Sequence, residues 1–376
     1  MGKRHHVRLL ACLIAVAALA TACLAPTGPQ KQVSWFDAPD PSVIPAYFGV
    51  AQVFTTNADY YGWRHVPTFA VSIPNGAVVG GNPREALPTL PNWAAPGSQT
   101  WAPAVKYLAG RYMLLFSNSK NSGNHEMCIG AAQSPNLGTA FTPIHTWQMC
   151  GPAGHQYIDP YLFVDSSGAV FLFWADQWGA GGGSRILSIQ MTSDGLGWLP
   201  GAPIREVMNY SRALAASGGV AMGGNAYIEN PAVVKDPHNN YNLLVSMGTW
   251  NGPNTYWTVE MACLQVDGTC LEGRGGVLNL SGQNAGGASI MNDNTPAGNW
   301  LFWHGGPVGA RVTWASETVA VNLNNQASSL VASGATVAEA QRSVGPVATN
   351  EVVEWPVGDP NFNRSDRDVP RGGRRG

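Results

Sequence analysis

An all-β fold, a five-bladed β-propeller, is what the 376-residue sequence predicts, and three observations carry the prediction. Glycine (45) and tryptophan (14) are abundant while charged side chains make up 12%, about half the usual share. Helical periodicity is nearly absent: the best candidate, SSLVASGATVAEAQRS near residues 328–343, has an Ala and Gly content that suits a short helix or a loop equally. One pattern also recurs five times: a short apolar strand and, in all but the first copy, a turn and a second strand rich in aromatic residues. Modules of roughly 60 residues repeated in this way are a propeller signature.

Set in register on Pro41, Pro103, Pro160, Pro231 and Ala288, the modules read DPSVIPAYFGVAQVF, APAVKYLAGRYMLLFS, DPYLFVDSSGAVFLFW, NPAVVKDPHNNYNLLVS and GASIMNDNTPAGNWLFWH. The anchors lie 57 to 71 residues apart. The propeller is expected over residues 34–325, with 326–358 as its closing segment and 359–376 as a disordered tail rich in Arg and Gly. Asp165, Asp236 and Asp293 each fall five positions after an anchor, where a hairpin turn must sit. Aspartate favours such turns because its side chain bonds nearby backbone N–H groups, so Asp165 reads as a turn residue.

The residue that leads into each first strand has a different standing. In a propeller the innermost strands surround the central channel, so these leading residues converge near the axis. They are Asp40, Ala102 (after Trp101), Asp159, Glu229 with Asn230, and Gly287. Three of five modules thus aim a carboxylate at one spot. Like charges brought together raise at least one pKa, a cost that a structural protein has little reason to carry. Glycoside hydrolysis uses such a cluster: one protonated carboxylic acid supplies the leaving oxygen with a proton, and one ionised carboxylate activates water or attacks carbon. A third carboxylate can keep the acid protonated by raising its pKa.

The segments PDPSVI, WAPAVKYLAGRYMLLFS, IDPYLFVDSSG, ENPAVVK and NWLFWHG resemble, in order and through roughly residues 37–320, the five-bladed propellers of glycoside hydrolase family 43. That family includes arabinofuranosidases, arabinanases and β-xylosidases. The resemblance implies that Asp40 is the general base, Asp159 the modulator that orients the acid and raises its pKa, and Glu229 the general acid. It further implies inversion at the anomeric carbon, with the roughly 6.5–9.5 Å between base and acid that leaves room for a water. His304, in FWHG, matches a histidine near the axis, and Arg311 resembles an arginine that reaches the bound sugar; on residue type alone the first reads as core and the second as surface. No cofactor is required, and the axis beside His304 is where a structural calcium ion or a water is expected. The chain departs from the pattern at Ala104, where many relatives carry glutamate, and at Asn230, where glycine or alanine is commoner beside the acid. Gly287 replaces a histidine of arabinanase-like members, which weighs against endo-arabinanase action.

Lys3, Arg4 and Arg8, the apolar run LLACLIAVAALATA and then Cys23 read as an export signal over residues 1–22. The site ATAC fits either a lipobox, with Cys23 acylated, or an A-x-A cleavage site followed by free secretion. Beyond the signal, 18 basic face 23 acidic side chains, and Arg364, Arg367, Arg371, Arg374 and Arg375 crowd into the tail. The acidic body argues against a nucleic-acid partner. Cys128, Cys150, Cys263 and Cys270 remain, an even count that suggests local disulfides 128–150 and 263–270 and leaves the other pairings open. The contexts HEMCIGAAQSPNLGTAFTP and MACLQVDGTC resemble a branch of the family with disulfides in blades two and four.

Weaker signals stay structural. GAGGGS at 179–184 precedes RILSIQM, which alternates like a strand, so a long blade-three hairpin fits better than a phosphate loop. His125-Glu126 lacks the second histidine of a zinc protease motif. Trp63 and Trp101 are the best candidates for sugar-stacking platforms, against the alternative that aromatics fill the space between blades. The reading is an exported, inverting, exo-acting glycosidase of arabinose- or xylose-containing glycans, a monomer whose partner is an oligo- or polysaccharide and which meets a membrane only if Cys23 is acylated. Its rival is a sugar-binding propeller lipoprotein without turnover. Retention of all three carboxylates favours the enzyme, and the acidic centre disfavours a protein-interaction scaffold.

Overall fold

The computed structural model describes residues 29–318, except 48, 59–61, 63–64, 74–76, 122–125, 180–182, 217–226, 236–240, 253–254, 264, 269 and 292–298. Five four-stranded antiparallel sheets form the five blades. Blade one is β2 (Ser42–Tyr47), β3 (Val50–Phe54), β4 (Pro67–Ser72) and β5 (Ala77–Glu85); blade two is β6 (Thr100–Leu108), β7 (Arg111–Ser119), β8 (Met127–Ser134) and β9 (Thr142–Cys150). Blade three is β10 (His155–Val164), β11 (Val170–Trp178), β12 (Gly183–Met191) and β13 (Arg205–Asn209); blade four is β14 (Ile228–Lys235), β15 (Tyr241–Gly248), β16 (Tyr256–Cys263) and β17 (Cys270–Val277). Blade five is β18 (Gly286–Met291), β19 (Asn299–Gly305) and β20 (Val312–Thr318), completed on its outer edge by β1 (Lys31–Gln32). The ring is therefore closed by the N-terminal strand, Lys31 pairing with Ala315 and Gln32 with Trp314. Residues 326–358, the expected closing segment, lie outside the described residues, as do the signal, Cys23, the tail and the helix candidate at 328–343.

Alternating strands present apolar side chains to both neighbouring sheets, so the core lies between blades rather than on the axis. Phe54, Leu114 and Phe116 fill the seam between blades one and two, and Leu115, Ile129, Leu172 and Trp174 that between two and three. Phe173, Val233, Val245 and Trp303 continue the packing through blades three, four and five, and Phe302, Phe36 and Phe69 close the circle onto blade one. Each fully buried phenylalanine contributes about 1.5–3 kcal/mol. Trp174, on the second strand of its module, is one of these fillers, at 0% exposure. Both local disulfides are present, each joining paired strands of one blade: Cys128–Cys150 across β8 and β9, Cys263–Cys270 across β16 and β17. Trp178 pairs with Gly183, so the GAGGGS stretch joins the β11–β12 hairpin.

One helix occurs among the described residues, α1 (Tyr210–Ala216), which the sequence reading missed. Asn209 caps it, its Oδ1 accepting the Arg212 N–H at 3.1 Å. The buried Arg212 guanidinium then donates to the carbonyls of Val207 and Cys270, anchoring the helix to blade four's disulfide.

Asp165 is the turn residue expected: its N–H bonds the Ala169 carbonyl and its carbonyl accepts the Gly168 N–H. Its carboxylate also receives Lys235 Nζ at 3.0 Å and Tyr241 OH at 3.1 Å from the neighbouring blade. Burial alone would raise its pKa, but the bonds from Lys235, the Ser166 backbone and Tyr241 bring it down to about 2. A depressed carboxyl stabilises the fold above its unfolded pKa, and that stability is lost as pH falls from about 4 through about 2. Asp165→Asn is thus expected to leave turnover unchanged while lowering stability at pH 7 by roughly 1 kcal/mol, after allowing for solvent screening. Thermal melts at pH 7 and pH 2.5 check it, the difference between variant and parent shrinking at the lower pH.

Candidate active site

Each first strand has a residue of positive φ next to its anchor, just before β2 and within β6, β10, β14 and β18: Asp40 (50°), Ala102 (42°), Asp159 (55°), Asn230 (51°) and Gly287 (60°). In blades two to five the ladder shifts register just there, between Trp101 and Ala104, Ile158 and Tyr161, Glu229 and Ala232, and Gly286 and Ser289. Such a bulge bends the strand and re-aims a side chain. Asn230, not Glu229, is the blade-four counterpart of Asp40 and Asp159, while Glu229 stands one residue earlier, in register with Trp101.

Left-handed backbone costs an L-residue roughly 1–2 kcal/mol, so each turn needs support. A side chain at one fixed register position, on or just beyond each second strand, accepts the N–H of the next blade's left-handed residue. Thr56 Oγ1 takes it from Ala102 at 2.8 Å, Ser117 Oγ from Asp159 at 2.9 Å, Ser246 Oγ from Gly287 at 2.8 Å and His304 Nδ1 from Asp40 at 3.1 Å. Blade three has Ala175 there, opposite Ile158, with no side-chain acceptor. The Asn230 N–H instead donates to Asp159 Oδ2 at 3.0 Å. The break in the pattern is what fixes this carboxylate.

The other two carboxylates are held from the sides. Asp40 Oδ2 accepts Thr56 Oγ1 at 2.7 Å, and its Oδ1 accepts Asn230 Nδ2 at 3.0 Å and lies 3.3 Å from His304 Nδ1. Glu229 Oε1 accepts Tyr256 OH at 2.7 Å and Oε2 accepts Gln177 Nε2 at 2.7 Å. Tyr256 stacks on His304 at 5.8 Å between centroids. Two glycines make the room: a Cβ on Gly286 would lie 2.0 Å from the Tyr256 ring, and one on Gly287 2.6 Å from His304 Nδ1 and 2.7 Å from Asp40 Oδ1. A histidine at 287 has no space in this arrangement.

Electrostatics separate the three acids. Burial alone would raise the Asp40 pKa, yet His304, the Arg311 charge and the Thr56 bond outweigh it and bring it below the usual value. Burial, then the charges of Glu229 and Asp40, push Asp159 well above the usual carboxyl range, against the Asn230 N–H. Burial and the Asp40 charge raise Glu229 to about 7, in spite of the bonds from Tyr256 and Gln177 and the Arg311 charge. Near neutral pH the cluster therefore pairs an ionised Asp40 with a Glu229 that still carries a proton half the time. Burial and the same carboxylates hold the Tyr256 hydroxyl well above its ordinary pKa, so it stays a donor.

Of the expected sugar-binding groups, Trp101 is 38% exposed at the blade-two position that Glu229 occupies in blade four. Arg311 sits with its guanidinium over Trp250 at 5.7 Å and its Nε 3.5 Å from Asp37, close enough to act on both Asp40 and Glu229. His304, expected near the axis, is 2% exposed and turned to Asp40. Trp63 lies outside the described residues. Thr56, Gln177, Tyr256 and Trp250 were missed. The signal for Thr56 was there: Thr56, Ser117, Ala175, Ser246 and His304 follow their left-handed residues by 15 to 17 positions. Calcium takes six to eight oxygen ligands. Among the described residues no group of three or more His, Cys, Asp or Glu could hold a metal.

Residues 33–330 match the family described as Glycosyl hydrolases family 43. The chain belongs to that family. It is accordingly a glycoside hydrolase, and solved structures of similar fold include other glycosidases. An exo-1,5-α-L-arabinanase from a bovine ruminal metagenomic library superposes with a TM-score of 0.54 at 20% identity, over 79% of this chain and 96% of the other. An α-L-arabinanase of Cellvibrio cellulosa, complexed with arabinohexaose, gives 0.56 at 17% identity, over 76% and 92%. The RS223 β-xylosidase gives 0.52 at 14% identity, over 77% and 94%. At these identities the likeness to the family-43 structures is one of fold. No curated protein matches the sequence.

Proposed function

We propose that this family-43 hydrolase is an exported, inverting, exo-acting enzyme that cleaves arabinose- or xylose-containing glycans. The observation that carries the reading is the opposite tuning of two carboxyls in one hydrogen-bonded cluster: Asp40 below its usual pKa and Glu229 raised to about 7. Asp40 is the general base that takes a proton from the attacking water. Glu229 is the general acid that protonates the leaving oxygen, its proton kept on by burial and the Asp40 charge, and Asp159 is the buried modulator beside it. The contacts Glu229–Tyr256 (2.7 Å), Tyr256–Asn230 (3.3 Å) and Asn230–Asp40 (3.0 Å) cap the separation of base and acid oxygens at about 9 Å. That limit is compatible with a water between them. Arg311 and Trp101 serve the sugar and His304 braces the base. The similar folds of an arabinanase and a β-xylosidase support the glycone class. The basic start, apolar run and Cys23 support export, with or without a lipid anchor.

The test is hydrolysis by the mature protein of aryl α-L-arabinofuranoside, aryl β-D-xyloside, aryl galactosides, arabinan and arabinoxylan, with NMR of the anomer first released. Inverted arabinose or xylose is the expected product. Retained configuration would sink the base assignment, and turnover of galactosides alone would sink the glycone class.

A further inference from the structure

We infer that Asn230 is a positioning residue for the reaction, its side-chain amide holding the Asp40 carboxylate in place and linking it to the support of Glu229. The inference rests on the reading of Asp40 as base and Glu229 as acid. Three contacts carry it. Asn230 Nδ2 lies 3.0 Å from Asp40 Oδ1 and 3.3 Å from Tyr256 OH, while its backbone N lies 3.0 Å from Asp159 Oδ2. One residue therefore touches two of the three carboxylates and, through Tyr256, reaches the third.

Chemistry fixes the direction of every bond in this chain. An ionised carboxylate accepts and never donates, so the Asn230 amide must turn its nitrogen toward Asp40. The Tyr256 O–H is spent on Glu229 Oε1, which leaves a lone pair of Tyr256 to receive the second amide hydrogen. The result runs from acid to base without a conflicting donor pair. The side chain is 8% exposed, so solvent offers Asp40 little substitute for the amide.

The residue type answers two demands at once. At φ 51° the backbone suits glycine or asparagine best. Glycine meets that demand and supplies no amide; aspartate adds a fourth carboxylate to a cluster that already strains to hold three. Around Asp40 the other charged and titratable groups are His304 on β19, Arg311 before β20, Asp159, Glu229 and Tyr256. Thr56 holds Oδ2, whereas Asn230 is the neutral donor on Oδ1, which sets the rotation of the carboxylate relative to the acid. Removing it withdraws a donor from the charged form, so the Asp40 pKa must rise.

The experiment compares the mature enzyme with Asn230→Gly, which keeps the left-handed backbone. Asn230→Ala, a side chain this backbone already carries at Ala102, is the second variant with the same expectation. Loss of one hydrogen bond to a charged group should move the acidic limb of the kcat/KM profile up by about 1 pH unit and lower kcat about tenfold, with KM little changed. In protein labelled with carbon-13 at the aspartate carboxyl, the Asp40 signal, assigned by its loss in Asp40→Asn, should titrate higher by the same amount. An Asp40 titration that does not move in either variant overturns the inference and leaves the glycosidase reading intact. A titration that moves while the parent hydrolyses none of the glycosides supports the Asn230 contact and removes the proposed substrate class instead.

Discussion

Glu229→Gln is expected to lower kcat/KM on glycosides with poor leaving groups by about 10³- to 10⁴-fold, the upper part of the range that general acid catalysis supplies. On a dinitrophenyl glycoside the loss should be much smaller, under about tenfold, because that leaving group departs without a proton. The alkaline limb belongs to the same residue. With Glu229 raised to about 7, activity of the parent should fall as pH rises through about 7, and the limb should vanish in the variant on the activated substrate. Folding should survive. Gln177 can reverse its amide to meet the new one, and Tyr256 still donates to the remaining oxygen. The stability sign favours the variant too: a carboxyl with a folded pKa above its unfolded value costs stability as pH rises past the unfolded value of about 4.5, so its removal should not lower the melting temperature at pH 7. Equal losses on poor and activated leaving groups would move the acid role away from Glu229.

How much of this could be read in advance divides along a physical line. The blade count was legible because each blade repeats a local pattern, an apolar strand led by Pro or a small residue, and local patterns survive in sequence. Asp165 was legible for the same reason, since a turn is made by its own neighbours. Its partner Lys235 lies 70 residues away and had no sequence signal. Closure by Lys31–Gln32 was invisible because two residues carry no periodicity. Within the site, the register brought out Asp40 and Asp159 but blurred Glu229 with Asn230. The left-handed bulge that distinguishes them is a backbone conformation shared by Asp, Ala, Asn and Gly, and no residue type marks it. Tyr256 comes from a third strand, outside the recurring pattern, and Gln177 from the end of a second strand, beyond the recurring segment. The role of Tyr256 follows from space that Gly286 leaves open, and that of Gln177 from Glu229, both residues of the neighbouring blade rather than of their own segments.

Asp40→Asn is the second large effect, and its signature should differ from that of the acid. A base that activates water acts in every turnover whatever the leaving group, so kcat/KM should drop by about 10³- to 10⁴-fold on poor and activated glycosides alike. The structure gives the reason for placing this role on Asp40 rather than Asp159. Asp40 is held by Thr56, Asn230 and His304, with Arg311 nearby, and all of them favour its charged form over the cost of burial. Asp159 has one N–H bond to its carboxylate and two carboxylate neighbours, which favour its neutral form. An ionised base can accept a proton and a neutral one cannot, so exchange of the two roles would require these surroundings to work against the chemistry. The variant should fold, since asparagine is among the residues that tolerate the left-handed backbone at φ 50°, and its amide can turn its oxygen to Asn230 and its nitrogen to Thr56 Oγ1. Two measurements decide the matter: the ratio of the losses on the two leaving groups, expected near one, and the acidic limb of the parent, expected below the ordinary carboxyl range because Asp40 is depressed. A variant that kept more than about a tenth of the parent rate on either substrate would place the base elsewhere, because a lost general base costs at least about a hundredfold.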